Sequence, residues 1–173
     1  MLEALIFVVF PFCMVYAMVS DILSMTIANR VPVILAATFA VVAPLTGMDM
    51  TTYAMHFAAG ALVLCVTFVL FALRAMGGGD AKLLASTSLW MGFSLELLQY
   101  LVQTAILGGI LTLGILLYRG SVAAVFTGDN VFTRNLANKH VGVPYGIALG
   151  AAGLMVYPST QLMQWAVARL VTG

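Results

Sequence analysis

The sequence predicts an all-α, polytopic membrane bundle of about six transmembrane helices, and three observations carry that reading. First, 63% of the 173 residues are hydrophobic and only 8% are charged, against about 25% charged in a soluble domain. Second, the mean hydropathy is +1.11, and apolar runs of the ~20 residues needed to cross a bilayer recur along the whole length. Third, no stretch between those runs is long enough to build a separate soluble domain. Residues 1–173 therefore read as a single membrane-embedded domain, with no internal repeat and no low-complexity segment.

The first helix is expected from about Ala4 to Ile22, with Pro11 disposed to kink it. Met1-Leu2-Glu3 puts an acid where a cleavable signal peptide wants Lys or Arg, so this run reads as a retained span. It ends on Ser20-Asp21, and a short polar segment, Ser24 to Arg30, follows. The second helix takes Val31 to Leu45, with Pro32 in the first turn, where its missing N–H is harmless. After the loop Gly47 to Thr52, the third helix runs from Tyr53 to Leu73 and closes on Arg74. The fourth starts at or near Asp80 and reaches about Phe93, which is short for a span and suits packing against protein. The fifth covers Leu95 to Tyr118, and Gly108-Gly109 in its middle suits close helix packing. Ser121 to His140 is the longest polar connection, with a turn at Gly128-Asp129-Asn130. The sixth helix runs from Val141 to Tyr157, Pro158 ends it, and Ser159 to Val171 leaves room for a seventh short or interfacial helix.

Charge sets the orientation. Arg30, Arg74, Lys82, Arg119, Arg134 and Lys139 fall in loops on one side, and only Arg169 falls on the other. The positive-inside rule puts the six-residue side in the cytoplasm and the N-terminus outside. A formal charge of +1 without a basic cluster argues against nucleic acid as a partner. Cys13 and Cys65 lie inside apolar runs without Cys-x-x-Cys spacing, so no metal site is expected. His56, near the outer end of the third helix, reads as a polar helix-packing contact, and His140 as a loop residue. The eleven methionines read as packing. Trp90, Trp165 and Tyr157 fit interfacial aromatic belts.

The feature that demands chemistry is Gly77-Gly78-Gly79-Asp80-Ala81-Lys82, set between two apolar runs. A carboxylate within lipid costs about 2.5–3.5 kcal/mol on insertion scales, so it is a functional candidate by default. Glycines before it free the backbone and let a second segment approach closely. Asp21 closes the first helix and Asp80 opens the fourth, so both lie at the same membrane face. Two facing carboxylates cannot both ionise easily; one stays protonated while the other activates water, the chemistry of an aspartic protease without metal or cofactor. Blander readings remain open. Asp80 can cap its helix, and Asp21 can pair with Arg30 or Lys82. Proton relay in a small transporter subunit, or a structural role in a secretion or pilus assembly, are the rival functions. Asp129 reads as a solvated loop acid.

These motifs resemble those of the prepilin peptidases, membrane aspartic proteases that include preflagellin peptidases. Gly77-Gly78-Gly79-Asp80-Ala81-Lys82-Leu83 is similar to the family's Gly-x-Gly-Asp-x-Lys-Leu. Asp21 followed by Ile27-Ala28-Asn29 resembles the first-aspartate segment, with Ala28 where the family usually has proline. Lys139 with Pro144-Tyr145-Gly146 resembles a third pattern. The resemblance implies a GxGD-type intramembrane protease with Asp21 and Asp80 as the catalytic pair at the cytoplasmic face of the bacterial inner membrane. Gly77, Gly79, Lys82, Asn29, Pro144, Tyr145 and Gly146 are then supporting positions; Lys82 reads equally as a snorkelling anchor. The implied substrate is a prepilin with a short leader and an apolar N-terminal helix, and pilus-assembly machinery is a further partner class. The short first loop lacks the cysteine pairs of the larger members. It looks like the peptidase-only form of tight-adherence (Flp-type) systems, with no methyltransferase domain and no S-adenosylmethionine.

Overall fold

The computed structural model describes residues 1–127, 130–131, 133–138 and 141–172. Among them there are nine α-helices and no strand. The helices are α1 (Leu2–Ser24), α2 (Arg30–Leu45), α3 (Met50–Ala72), α4 (Gly78–Met91), α5 (Leu95–Arg119), α6 (Val122–Thr127), α7 (Arg134–Ala137), α8 (Gly146–Val156) and α9 (Gln161–Thr172). α1, α3 and α5 are long and apolar enough to cross a membrane; α2 and the segment Gly146–Ser159 are shorter apolar helices. The expected turn at Gly128-Asp129 and the residues Lys139 and His140 lie outside the described residues.

α4 is the axis of the bundle. α3 packs along it most extensively, with α2 beside α3 and contacts to α8 and α5 on its other flanks. Ala81 and every residue from Leu83 to Met91 are buried. That burial explains how a helix with Lys82, Ser86, Thr87 and Ser88 survives here. Its hydroxyls donate to its own carbonyls: Thr87 to Leu83 O at 2.8 Å and Ser88 to Leu84 O at 2.8 Å. Satisfied in this way, they do not demand lipid or water contact. Gly92 ends the helix at φ +67°, the left-handed region glycine favours. It also leaves room for His56, whose imidazole would meet a Cβ there at 2.7 Å. The His56 Nδ1 bonds Leu89 O at 2.6 Å, the helix-packing role expected for it.

The aromatic-belt expectation fails for two of its three residues. Trp90 and Tyr157 are core residues, 0% and 2% exposed. Phe10 stacks on Tyr157 at 4.0 Å between ring centroids and tilts against Trp90 at 5.3 Å. Each polar tip finds a backbone carbonyl: Trp90 Nε1 donates to Leu35 O at 3.1 Å and Tyr157 Oη to Ile6 O at 2.7 Å. Those two bonds tie α4 to α2 and the end of α8 to α1. Trp165 alone remains near the surface, with Arg169 over its ring at 5.1 Å. Trp90→Ala is therefore expected to destabilise the protein by about 3–5 kcal/mol, and Trp165→Ala by about 1 kcal/mol or less. Thermal unfolding in detergent would read the difference.

Other boundaries shift little, except that the sixth expected helix, Val141 to Tyr157, begins only at Gly146, as α8. α1 continues through Pro11, and Asp49 caps α3 by accepting from Thr52 N–H at 2.9 Å. Hydrogen bonds from the Thr52 side chain and backbone hold the Asp49 carboxyl below its ordinary range. The polar connection after α5 contains two short helices that its composition did not announce. The tail does form a helix, α9, with Leu162 and Ala166 buried and its main packing on α1.

Candidate active site

Asp21 lies in the last turn of α1, 5% exposed. Beyond it α1 stops at Met25, whose φ of 52° turns the chain out of the helix. The carbonyls left over at that end are satisfied from a distance: Asn135 Nδ2 donates to Ile22 O at 3.1 Å and to Leu23 O at 2.8 Å. The Asp21 carboxyl faces the start of α8, where Gly146 N–H donates to its Oδ2 at 2.7 Å. A Cβ at Gly146 would sit 2.8 Å from that oxygen, so only glycine lets the backbone come this near.

Asp80 sits in the first turn of α4, and Gly77, not Asp80, is the N-cap. The Asp80 carboxylate reaches back over Gly77, its Oδ2 2.8 Å from where a Cβ on that glycine would stand, the position of the acid in a capping box. The expected capping role is thus present in altered form. It occupies only part of the carboxylate, which lines a cleft of about 670 Å³ with Phe71, Arg74, Gly77, Val143 and Tyr145. None of the three glycines before Asp80 has a positive φ, so here glycine serves close approach and not backbone freedom. At Gly79 the neighbour is Ile27, 3.2 Å from where a Cβ would stand. Ile27 is buried, and this contact seats the segment after Asp21 directly on the segment before Asp80.

Two further contacts knit the same pieces. Lys82 Nζ donates to Asn29 Oδ1 at 3.0 Å, so the lysine and asparagine singled out in the sequence meet each other. The Asp21 and Asp80 carboxyls interact electrostatically across the junction of α1, α4 and α8. Neither forms an ion pair: among the described residues the one salt bridge joins the N-terminus to Glu3. The expected pairing of Asp21 with Arg30 or Lys82 is therefore replaced by the Gly146 N–H. Pro144, buried, precedes Tyr145, and both lead into Gly146.

Tyr145 is held by α5. Its phenol drops into a notch at Gly108, where a Cβ would lie 2.1 Å from the hydroxyl, and it reaches Thr104 O at 3.5 Å. Gly109, by contrast, faces open space, so only one of the two glycines serves packing. Gly108→Ala is expected to cost about 1–3 kcal/mol by overpacking. Gly109→Ala should be neutral or slightly stabilising through helix propensity. Paired melting curves check both.

Sequence reasoning missed Asn135, which holds the end of α1, and the bonds by which Arg119 holds Leu136, Val141 and Gly142. Arg119, read as a positive-inside residue or one that attracts an acidic partner, donates through Nε to Leu136 O at 2.8 Å. Its Nη2 donates to Val141 O and Gly142 O at 2.9 and 2.8 Å. An arginine at a helix C-terminus can satisfy several stray carbonyls at once, and that position was the available signal. Asn135 offered none. Arg74 also lines the Asp80 cleft and adopts φ 59°, unusual for a non-glycine residue.

No metal-binding group of three or more His, Cys, Asp or Glu exists among the described residues. The chain matches no curated protein and no solved structure. A family model described as the type IV leader peptidase family matches residues 8–118. The match takes in Asp21, Asn29 and the whole Gly77–Lys82 stretch and covers more than half of the chain. The chain belongs to the type IV leader peptidase family.

Proposed function

We propose that this protein is a membrane aspartic endopeptidase that removes the short leader from prepilin-like substrates, with Asp21 and Asp80 as the catalytic pair. The observation that carries the reading is that the Asp21 and Asp80 carboxyls lie close enough to interact, Asp80 lining the cleft, and that neither has a basic partner among the described residues. Acids kept near lipid and left unpaired are expensive, which marks them as functional. With one carboxyl ionised and the other protonated, the ionised group takes a proton from water and the water oxygen attacks the scissile carbonyl carbon. The protonated group hydrogen-bonds the carbonyl oxygen as it becomes an oxyanion. Collapse of the tetrahedral adduct breaks the C–N bond, and a carboxyl proton passes to the leaving amine. No metal or cofactor enters these steps.

Gly146 N–H orients Asp21, and the close approach of Asp80 to Gly77 sets the second carboxyl. Lys82 and Asn29 brace the two motifs against each other. In this reading α1 to α5 and α8 make six crossings of GxGD type, the N-terminus is outside, and the aspartates face the cytoplasm with Arg30, Arg74 and Arg119. The bilayer is the bacterial inner membrane, and the short loop between α1 and α2 fits a peptidase-only, Flp-type enzyme without a methyl-transfer step. A glycine before the scissile bond would let the substrate backbone unwind beside its apolar helix.

Co-expression with a Flp-type prepilin tests this reading, with the leader followed by mass spectrometry. Trimming of the leader at a single bond is expected. A prepilin left whole by protein that is folded and inserted would sink the assignment.

A further inference from the structure

Beneath the two aspartates, the bundle holds polar groups that the mechanism above does not use. Tyr100, Gln103 and Thr104 lie on one face of α5, one helical turn apart. Tyr100 is fully buried and Thr104 is 5% exposed. The Tyr100 hydroxyl, Gln103 Oε1 and Thr104 Oγ1 are buried and have no hydrogen-bond partner. Tyr100 Oη lies beside the hydroxyls of Thr87 and Thr104, without a bond of ordinary geometry to either. Thr87 Oγ1 spends its proton on Leu83 O, so its lone pairs remain to accept.

Three unpartnered polar atoms on one buried face are unusual, because such groups are nearly always satisfied by protein or ordered water. Buried hydroxyls that neighbour one another without a well-formed bond can be bridged by a water. The row also points somewhere. Tyr145 Oη bonds Thr104 O at the upper end, and the Tyr100 and Tyr145 phenols both lie within electrostatic reach of Asp80. Thr87 is seven residues along α4 from Asp80, which is about 10 Å at 1.5 Å per residue.

We propose that Tyr100, Gln103 and Thr104, with Thr87, form a buried water-binding site about two turns beneath Asp80, and that the hydrolytic water is drawn from it. The water part stands on the unpartnered atoms, whereas its use in hydrolysis rests on the peptidase reading. A site lined by packed apolar helices needs such a store, since a substrate helix seated over the cleft shuts off bulk solvent. Tyr100, Gln103 and Thr104 are positioning residues, acting through the water they hold.

Radiolytic hydroxyl-radical footprinting of the intact protein in nanodiscs reads the water directly. Tyr100 should label rapidly despite its burial. Tyr157, also buried but bonded to Ile6 O, is the internal control and should not. In parallel, Tyr100→Phe and Thr104→Val should each lower kcat for prepilin cleavage about tenfold, the scale of one lost hydrogen bond in a barrier. KM and the melting temperature should stay near wild type, and Thr104→Ser should keep wild-type kcat. An unlabelled Tyr100 overturns the proposal whatever the cleavage assay gives. Labelling with unchanged kcat in both variants overturns the supply role, as does a kcat loss that merely tracks lost stability. Labelling in a wild type that cuts no prepilin would sink the peptidase reading and leave the water site standing.

Discussion

Asp21→Asn and Asp80→Asn are each expected to lower prepilin cleavage by about 10²–10⁴-fold or more, the range ascribed to a positioned acid or base. The substitution is close to isosteric, and the contacts around each acid explain why the fold should tolerate it. In Asp21→Asn the new amide oxygen can still accept from Gly146 N–H, and in Asp80→Asn the side chain keeps the same size over Gly77. Neither acid has a basic partner among the described residues to be stranded. Melting temperature and membrane level should therefore stay near wild type while turnover collapses. Because the pair acts as one unit, the double variant should fall no further than the worse single one. Variants that still cut would remove the aspartates from catalysis and return attention to a proton relay. Variants that disperse a secretion or pilus assembly, with cleavage intact, would favour a scaffold.

Part of this site was legible in the sequence because its logic is one of counting. An odd number of apolar runs precedes both Asp21 and Asp80, so their shared depth follows without coordinates. Their motif neighbours also proved to be spatial neighbours: Lys82 meets Asn29, and Ile27 lies on Gly79. What stayed hidden depends on which face of a helix meets which partner. Trp90 and Tyr157 carry an apolar body and one polar tip, which suits a membrane interface and a core with a free carbonyl equally well. Only the positions of Leu35 O and Ile6 O decide between them. Gly108 and Gly109 are indistinguishable by type, yet one admits a phenol and the other faces open space. The polar face of α4 masked its central place, since its hydroxyls are satisfied within the helix and hydropathy counts them as if they were not. Arg119 obeyed the charge rule for orientation and did something else as well, holding carbonyls 17 to 23 residues further along.

Gly146→Ala carries the second largest expected effect, and it separates geometry from charge. A methyl group at this position would stand 2.8 Å from Asp21 Oδ2, 3.0 Å from its Cβ and 3.1 Å from its Cγ. Gly146 begins α8 and needs no positive φ, so alanine suits the backbone and even raises helix propensity by up to ~1 kcal/mol. The clash falls on the Asp21 side chain, from its Cβ to its carboxyl. Asp21 must swing away or α8 must back off, and α8 is fixed by Tyr145 in the Gly108 notch and by its packing on α1 and α5. A displacement of about 1 Å in a reacting group costs on the order of 10²-fold in rate. The expected result is that loss in kcat with a smaller change in KM, because Asp21 does not line the cleft around Asp80. Gly114→Ala, where a Cβ meets nothing within 4 Å, should match wild type. Adding Asp21→Asn to Gly146→Ala should lower the rate no further than Asp21→Asn alone, since both changes act through one carboxyl. Full additivity of the two would show that Gly146 supports something other than Asp21, and its backbone N–H would lose the role assigned to it.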